Sequence, residues 1–126
     1  MEQHGAESNL NLDWNLIDTV LLDLDGTLLD LNFDLEFWLE YIPNIYSKKH
    51  NIKIDEAKEL IISMINSQEG KLTWYCLDYW EETLNLDIMK LKGDISHLIQ
   101  VHDHALNFLQ TVKKQNKHIY LVTNAH

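Results

Sequence analysis

The spacing of apolar residues along this chain changes from strand-like to helix-like and back. Residues 16–22 (Leu-Ile-Asp-Thr-Val-Leu-Leu) form a short apolar, β-branched run, and Gly26 turns the chain just after it. Such a run predicts a buried strand of the parallel-sheet kind. From Phe33 the period becomes helical, with Phe33, Phe37, Trp38, Tyr41, Ile42 and Ile45 sharing one face. Pro43 interrupts or kinks that helix. Asp55 is the expected cap of a second helix, whose apolar face is Ala57, Leu60, Ile61, Met64 and Ile65 and which closes at Gln68-Glu69-Gly70. Thr73 is expected to begin a third helix, rich in aromatics: Trp74, Tyr75, Leu77, Tyr79, Trp80 and Leu84. A weaker fourth helix is expected over 87–99, with Gly93 a flaw inside it. Residues 103–115 read as an amphipathic helix capped by Asp103, with Lys113 and Lys114 at the negative end of its dipole. Residues 118–122 (His-Ile-Tyr-Leu-Val) read as a second buried strand. The start, 1–15, is a polar tail that can dock at its end through Leu12 and Trp14.

The order is therefore strand, four helices, helix, strand. A strand–helix–strand unit makes a right-handed parallel crossover. The helices over 31–100 are too many for a simple crossover and imply an insertion above the sheet. The expected architecture is α/β, with residues 1–30 and 101–126 in the sheet-bearing core and 31–100 as the helical insertion.

Composition narrows the partners. Of 126 residues, 45% are apolar, which suits one small domain or part of a larger one. The formal net charge is −10 and every basic residue is lysine. So acidic a chain, without a guanidinium fork, is a poor nucleic-acid binder and is repelled by anionic lipid. A small phosphorylated substrate can still bind if a cation screens the charge. The single cysteine, Cys76, allows no internal disulfide and suits a reducing cytosol, so a cytoplasmic location is expected. The first residues lack a cationic stretch followed by an apolar one, and no apolar run is long enough to span a bilayer.

The chemistry concentrates in Asp23-Leu24-Asp25-Gly26-Thr27, at the C-terminal end of the first strand. That edge is where open α/β sheets bind ligands. Two carboxylates two residues apart can converge on one point once the chain turns at Gly26. They repel, so one holds a proton unless a cation neutralises them, and Mg²⁺ suits an oxygen-only site. The bland alternative is a solvated Asp-Gly turn. Asp-x-Asp-Gly-Thr arises by chance at only about 10⁻⁵ per position from average residue usage. An EF-hand loop fails because its sixth position, which requires glycine, is Leu28.

The segment Asp23-Leu24-Asp25-Gly26-Thr27-Leu28-Leu29-Asp30 resembles motif I of the haloacid dehalogenase (HAD) superfamily, and Ile119-Tyr120-Leu121-Val122-Thr123-Asn124 resembles its motif II. The resemblance implies a HAD-like Rossmannoid core, represented here by its first two parallel strands, with a helical C1 cap inserted at 31–100. It implies a Mg²⁺-dependent phosphomonoesterase. Asp23 would be the nucleophile forming an aspartyl-phosphate, and Asp25 the acid–base carboxylate. Mg²⁺ would be held by the Asp23 carboxylate and the Asp25 main-chain carbonyl. Gly26, Thr27, Thr123 and Asn124 would bind phosphate. Leu72 to Trp80, with Leu31-Asn32-Phe33-Asp34 and Thr123-Asn124-Ala125-His126, is similar to the bacterial GMP/IMP 5′-nucleotidase subfamily. That implies a purine nucleoside monophosphate as substrate.

Trp74, Tyr75, Trp80 and His126 are candidate substrate contacts, although at helical spacing Tyr79 and Trp80 more often form the packed interior of a small cap. Cys76 reads as a packing residue and His97, His102 and His104 as surface or capping residues. The family's third and fourth motifs, a lysine and an acidic pair, are not found after Thr123. Lys113, Lys114 and Lys117 precede motif II and are not assumed to replace the lysine. The chain is thus expected to be an N-terminal portion, inactive or nearly so alone. Other expectations are a HAD phosphatase for sugar phosphates or phosphoglycolate, or a non-catalytic remnant that binds a partner through its acidic cap. A true haloacid dehalogenase is disfavoured because Asp25 supplies the carboxylate that phosphoryl transfer uses.

Overall fold

The computed structural model describes residues 11–124. Two strands, β1 (Thr19–Leu22) and β2 (His118–Leu121), pair in parallel, with Thr19 opposite His118 and Leu22 opposite Leu121. Between them run α1 (Asn32–Glu36), a π-helical turn (Phe37–Tyr41), α2 (Ile42–His50), α3 (Ile54–Gln68), α4 (Leu77–Leu84), α5 (Ile88–Asp94) and α6 (Ala105–Lys114). Short 3₁₀ turns lie at Trp14–Leu16, Leu72–Tyr75 and Ser96–Leu98. The fold is the expected α/β arrangement, a parallel strand pair with a helical body inserted between its strands. Among the described residues, no helix is long and apolar enough to cross a membrane.

Pro43 interrupts the regular α-helix, and the interruption is a π-helical turn. A proline donates no N–H, so the turn before it widens rather than breaks. Ile42 N–H reaches back to Phe37 O, and α2 then starts with proline in its first turn. The widened turn buries Phe37 and Ile42 completely. They join Ile61, Trp80, Leu84, Ile88 and Ile95 in one cluster, drawn wholly from the segment between the strands. Trp38 packs on Trp80 with ring centroids 5.4 Å apart, and Tyr79 meets the Trp80 edge at 5.1 Å.

Several helix boundaries differ from the sequence expectation. Asp55 is not the cap of α3: Lys53 occupies the cap position and Asp55 lies in the first turn, where its charge still complements the dipole. Leu60, placed on the apolar face, is exposed. Thr73 does not begin a continuous helix. Residues 72–75 form the 3₁₀ turn, Cys76 is extended, and α4 follows. The reason is the Trp80 indole, which donates its N–H to the Trp74 carbonyl at 3.0 Å and takes the acceptor that a continuous helix would need. Cys76 is therefore a linker residue, not mid-helix. The 87–99 segment divides into α5, capped by the Asp87 carboxylate on Lys90 N–H, and the 3₁₀ turn. Asp103 does not cap α6. Residues 100–102 are held to the turn after β1, with Leu29 bridging Val101 and His102 N–H donating to Leu28 O. The helix therefore starts later, with His104 at the cap position.

The two strands are shorter than expected and are not buried. Leu21 is 65% exposed, and Tyr120, Leu121 and Val122 are also exposed. Among the described residues the sheet has two strands, so each keeps an unpaired edge, and α6 packs along β2. The N-terminal docking is half right. Trp14 meets Phe108 edge-on at 6.3 Å, whereas Leu12 is exposed. Lys117 fastens this end, donating to the Trp14 and Ile17 carbonyls. It lies at the N-terminal edge of the sheet, opposite the edge where β1 delivers Asp23.

Candidate active site

The strand register builds the site. Leu22 pairs with Leu121, and Val122 N–H donates to Leu22 O at 2.7 Å. Asp23 thus leaves β1 beside the point where Thr123 leaves β2, although a hundred residues separate them in sequence. Thr123 is half-buried there, and Asn124 lines a large cavity.

After Asp23 the chain makes a tight turn closed on Leu24 O, which accepts from Thr27, Leu28 and Leu29 N–H. Asp23 Oδ1 accepts from its neighbour Leu24 N–H at 2.7 Å. Asp25 forms an isolated bridge with Leu29, and Gly26 N–H donates to Leu29 O at 2.8 Å. Gly26 has φ +75°, a region that side chains avoid, and a Cβ there would lie 3.1 Å from Leu31. Gly26→Ala is expected to cost about 1–2 kcal/mol from the backbone conformation alone. Thermal denaturation tests this; an unchanged midpoint would show that the turn does not depend on glycine.

Asp25 lines a cavity of about 710 Å³, walled also by Phe33, Trp38, Trp74, Tyr75 and Trp80 among others. Partial desolvation raises its carboxyl above the ordinary range, and the Asp34 and Asp23 carboxylates push the same way while the Lys92 ammonium opposes them. A carboxyl raised on folding contributes stability below its ordinary range and loses it as pH rises through the folded value. Without divalent cations, Asp25→Asn should therefore gain stability over the parent at neutral pH, and the gain should shrink on acidification. Melts at two pH values check the sign, and a gain that is larger in acid would refute it.

The expected substrate residues divide. Trp74 and Tyr75 line the cavity, and Trp80 reaches it while also serving as a core residue, 3% exposed. Thr27 faces away, into a second hollow of about 530 Å³ with Asp30, His102 and His104. His126 lies outside the described residues. Asp34 stood out only as part of a short segment, and nothing singled out Lys92. They meet 58 positions apart, a distance no local pattern spans.

For a metal ion, the turn offers only oxygen donors: the Asp23 carboxylate and the backbone around Asp25. That set suits a hard cation that keeps several waters. Among the described residues, no group of three or more His, Cys, Asp or Glu side chains is placed to hold a metal.

No family model matches the chain. Over 118 residues it is 39% identical to the GMP/IMP nucleotidase YrfG of Escherichia coli (strain K12), covering 94% of this chain and 53% of that protein. The same figures hold for the GMP/IMP nucleotidase YrfG of Shigella flexneri. Its fold is similar to the crystal structure of a HAD phosphatase from Thermococcus onnurineus, with a TM-score of 0.74 and 24% identity over 87% of this chain and 52% of that one. The chain spans about half the length of the curated relatives it matches.

Proposed function

We propose that this chain carries the nucleophile side of a phosphomonoesterase acting on purine nucleoside 5′-monophosphates, a reading supported by a fold similar to that of a HAD phosphatase and by the resemblance of Asp23–Asp30 to motif I of that superfamily. The observation that carries this reading is the junction of the Asp23–Thr27 turn with Thr123 and Asn124 at one sheet edge, opening on an aromatic-walled cavity. Residues 1–30 and 101–126 form the catalytic core in this reading, and 31–100 form its cap.

The Asp23 carboxylate attacks phosphorus, and the bond to the leaving oxygen breaks. The electron pair leaves with the nucleoside oxygen, which takes a proton from Asp25. The raised Asp25 carboxyl suits this donor role. Once deprotonated, Asp25 takes a proton from the water that cleaves the aspartyl-phosphate. Thr123 and the Asn124 N–H hold phosphoryl oxygens, and the Gly26–Thr27 backbone shapes the turn around them. Mg²⁺ would be held by the Asp23 carboxylate and the Asp25 main-chain carbonyl, and when bound would screen the phosphate charge. The helices lining the cavity exclude water, and Trp74 and Tyr75 offer flat faces to a base.

The test is phosphate release from GMP, IMP, sugar phosphates and phosphoglycolate, with Mg²⁺ or with chelator. The protein is expressed from its complete gene. Mg²⁺-dependent turnover that favours the purine nucleotides is the expected result. Preference for a sugar phosphate or phosphoglycolate would keep the chemistry and discard the purine substrate. No turnover of any phosphomonoester would discard both.

A further inference from the structure

The cavity wall holds an ion pair whose charges bear on Asp25 but which no step of the proposed chemistry contacts. Asp34 on α1 and Lys92 on α5 meet there, with Lys92 Nζ 3.5 Å from Asp34 Oδ1. Their side chains are 27% and 24% exposed. The surface pair Lys58–Glu40 is closer, at 2.7 Å, and more exposed. A long, partly desolvated pair is a poor source of stability, but it can exchange its partner for a ligand at little cost. Lys92 Nζ also sits over the Phe33 and Phe37 rings, 6.0 and 5.5 Å from their centroids, which hold the ammonium in place. Among the described residues lining this cavity, Lys92 is the one cationic side chain. Aromatic walls offer a flat ring two apolar faces, and this pair offers its edge one acceptor beside one donor.

Resting on the nucleotide reading above, we infer that Asp34 and Lys92 read the edge of the substrate's base and select a 6-oxopurine over a 6-aminopurine. The ring N1–H of hypoxanthine or guanine donates to the Asp34 carboxylate, and O6 accepts from the Lys92 ammonium. The 2-amino group of guanine adds a donor on the Asp34 side, so both bases fit. Adenine reverses the pattern. Its N1 lone pair faces a carboxylate and its amino group faces an ammonium. These two partly desolvated groups then find no partner on the base, the mismatch by which a polar site rejects the wrong ligand.

The test uses the protein expressed from its complete gene and compares kcat/KM for IMP, GMP and AMP. Asp34→Asn and Lys92→Gln are each expected to lower the IMP-to-AMP ratio by ~10-fold or more, chiefly through KM. Lys92→Arg, which keeps a charged donor, is expected to retain the preference. The two substitutions lie on different helices, so misfolding of one, seen in its circular dichroism, leaves the other to decide. Parallel loss on IMP and AMP, or an unchanged ratio, overturns the assignment while the nucleotide reading stands. A parent protein that hydrolyses other phosphomonoesters but no purine nucleotide overturns the nucleotide reading, and this assignment falls with it.

Discussion

Replacing Asp23 by asparagine is expected to abolish phosphate release by the protein expressed from its complete gene, a loss of ~10³-fold or more, because in the proposed mechanism it removes the charged attacking oxygen. An amide oxygen carries no full negative charge to attack phosphorus and is a weaker ligand for a hard cation. The change is nearly isosteric at an exposed position. Its one assigned hydrogen bond, from Leu24 N–H to Oδ1, survives if the asparagine carbonyl takes that place. The folded state should therefore be preserved, so a melting curve close to the parent's accompanies the lost activity. Turnover retained in this variant would remove Asp23 from the mechanism. Loss of activity with loss of folding would instead point to a structural role for the turn.

Phe37→Ala should be the most damaging core substitution, at about 3–5 kcal/mol. The ring is completely buried in the π-helical turn. It stacks between Phe33 and Tyr41, at 6.3 and 6.1 Å, and meets the Trp38 edge at 5.1 Å. No smaller side chain fills that space, and the turn cannot close over the void because Pro43 fixes the backbone after it. Leu39, exposed in the same turn, is the control, and Leu39→Ala should change stability by about 0.5 kcal/mol or less. Denaturant unfolding checks both. Similar small shifts for the two would show that the helical cluster is not what holds the protein together.

Local signals in the sequence were enough for the strand-then-turn at Asp23–Thr27, because an apolar β-branched run ending in Asp-x-Asp-Gly depends on neighbours alone. The amphipathic helix before β2 and the interruption at Pro43 were legible for the same reason. Helix boundaries were less so. At Trp74–Asp78 a side-chain indole displaced a backbone donor, and at Asp103 a bridge from Leu28–Asp30 delayed the helix. Neither competitor is visible in a propensity pattern.

By itself, the sequence determined the turn that carries two carboxylates at the end of β1 and the helical nature of the insertion, since both rest on contacts a few residues long. Only the tertiary structure decided what faces those carboxylates. The parallel register brought Thr123 beside Asp23, and the packing of α1 against the segment after α5 set Lys92 against Asp34 over the cavity. It also separated Thr27 from the large cavity and put Lys117 at the far edge of the sheet. These placements depend on which distant surfaces bury one another, a free energy summed over the whole core that no short stretch of sequence contains.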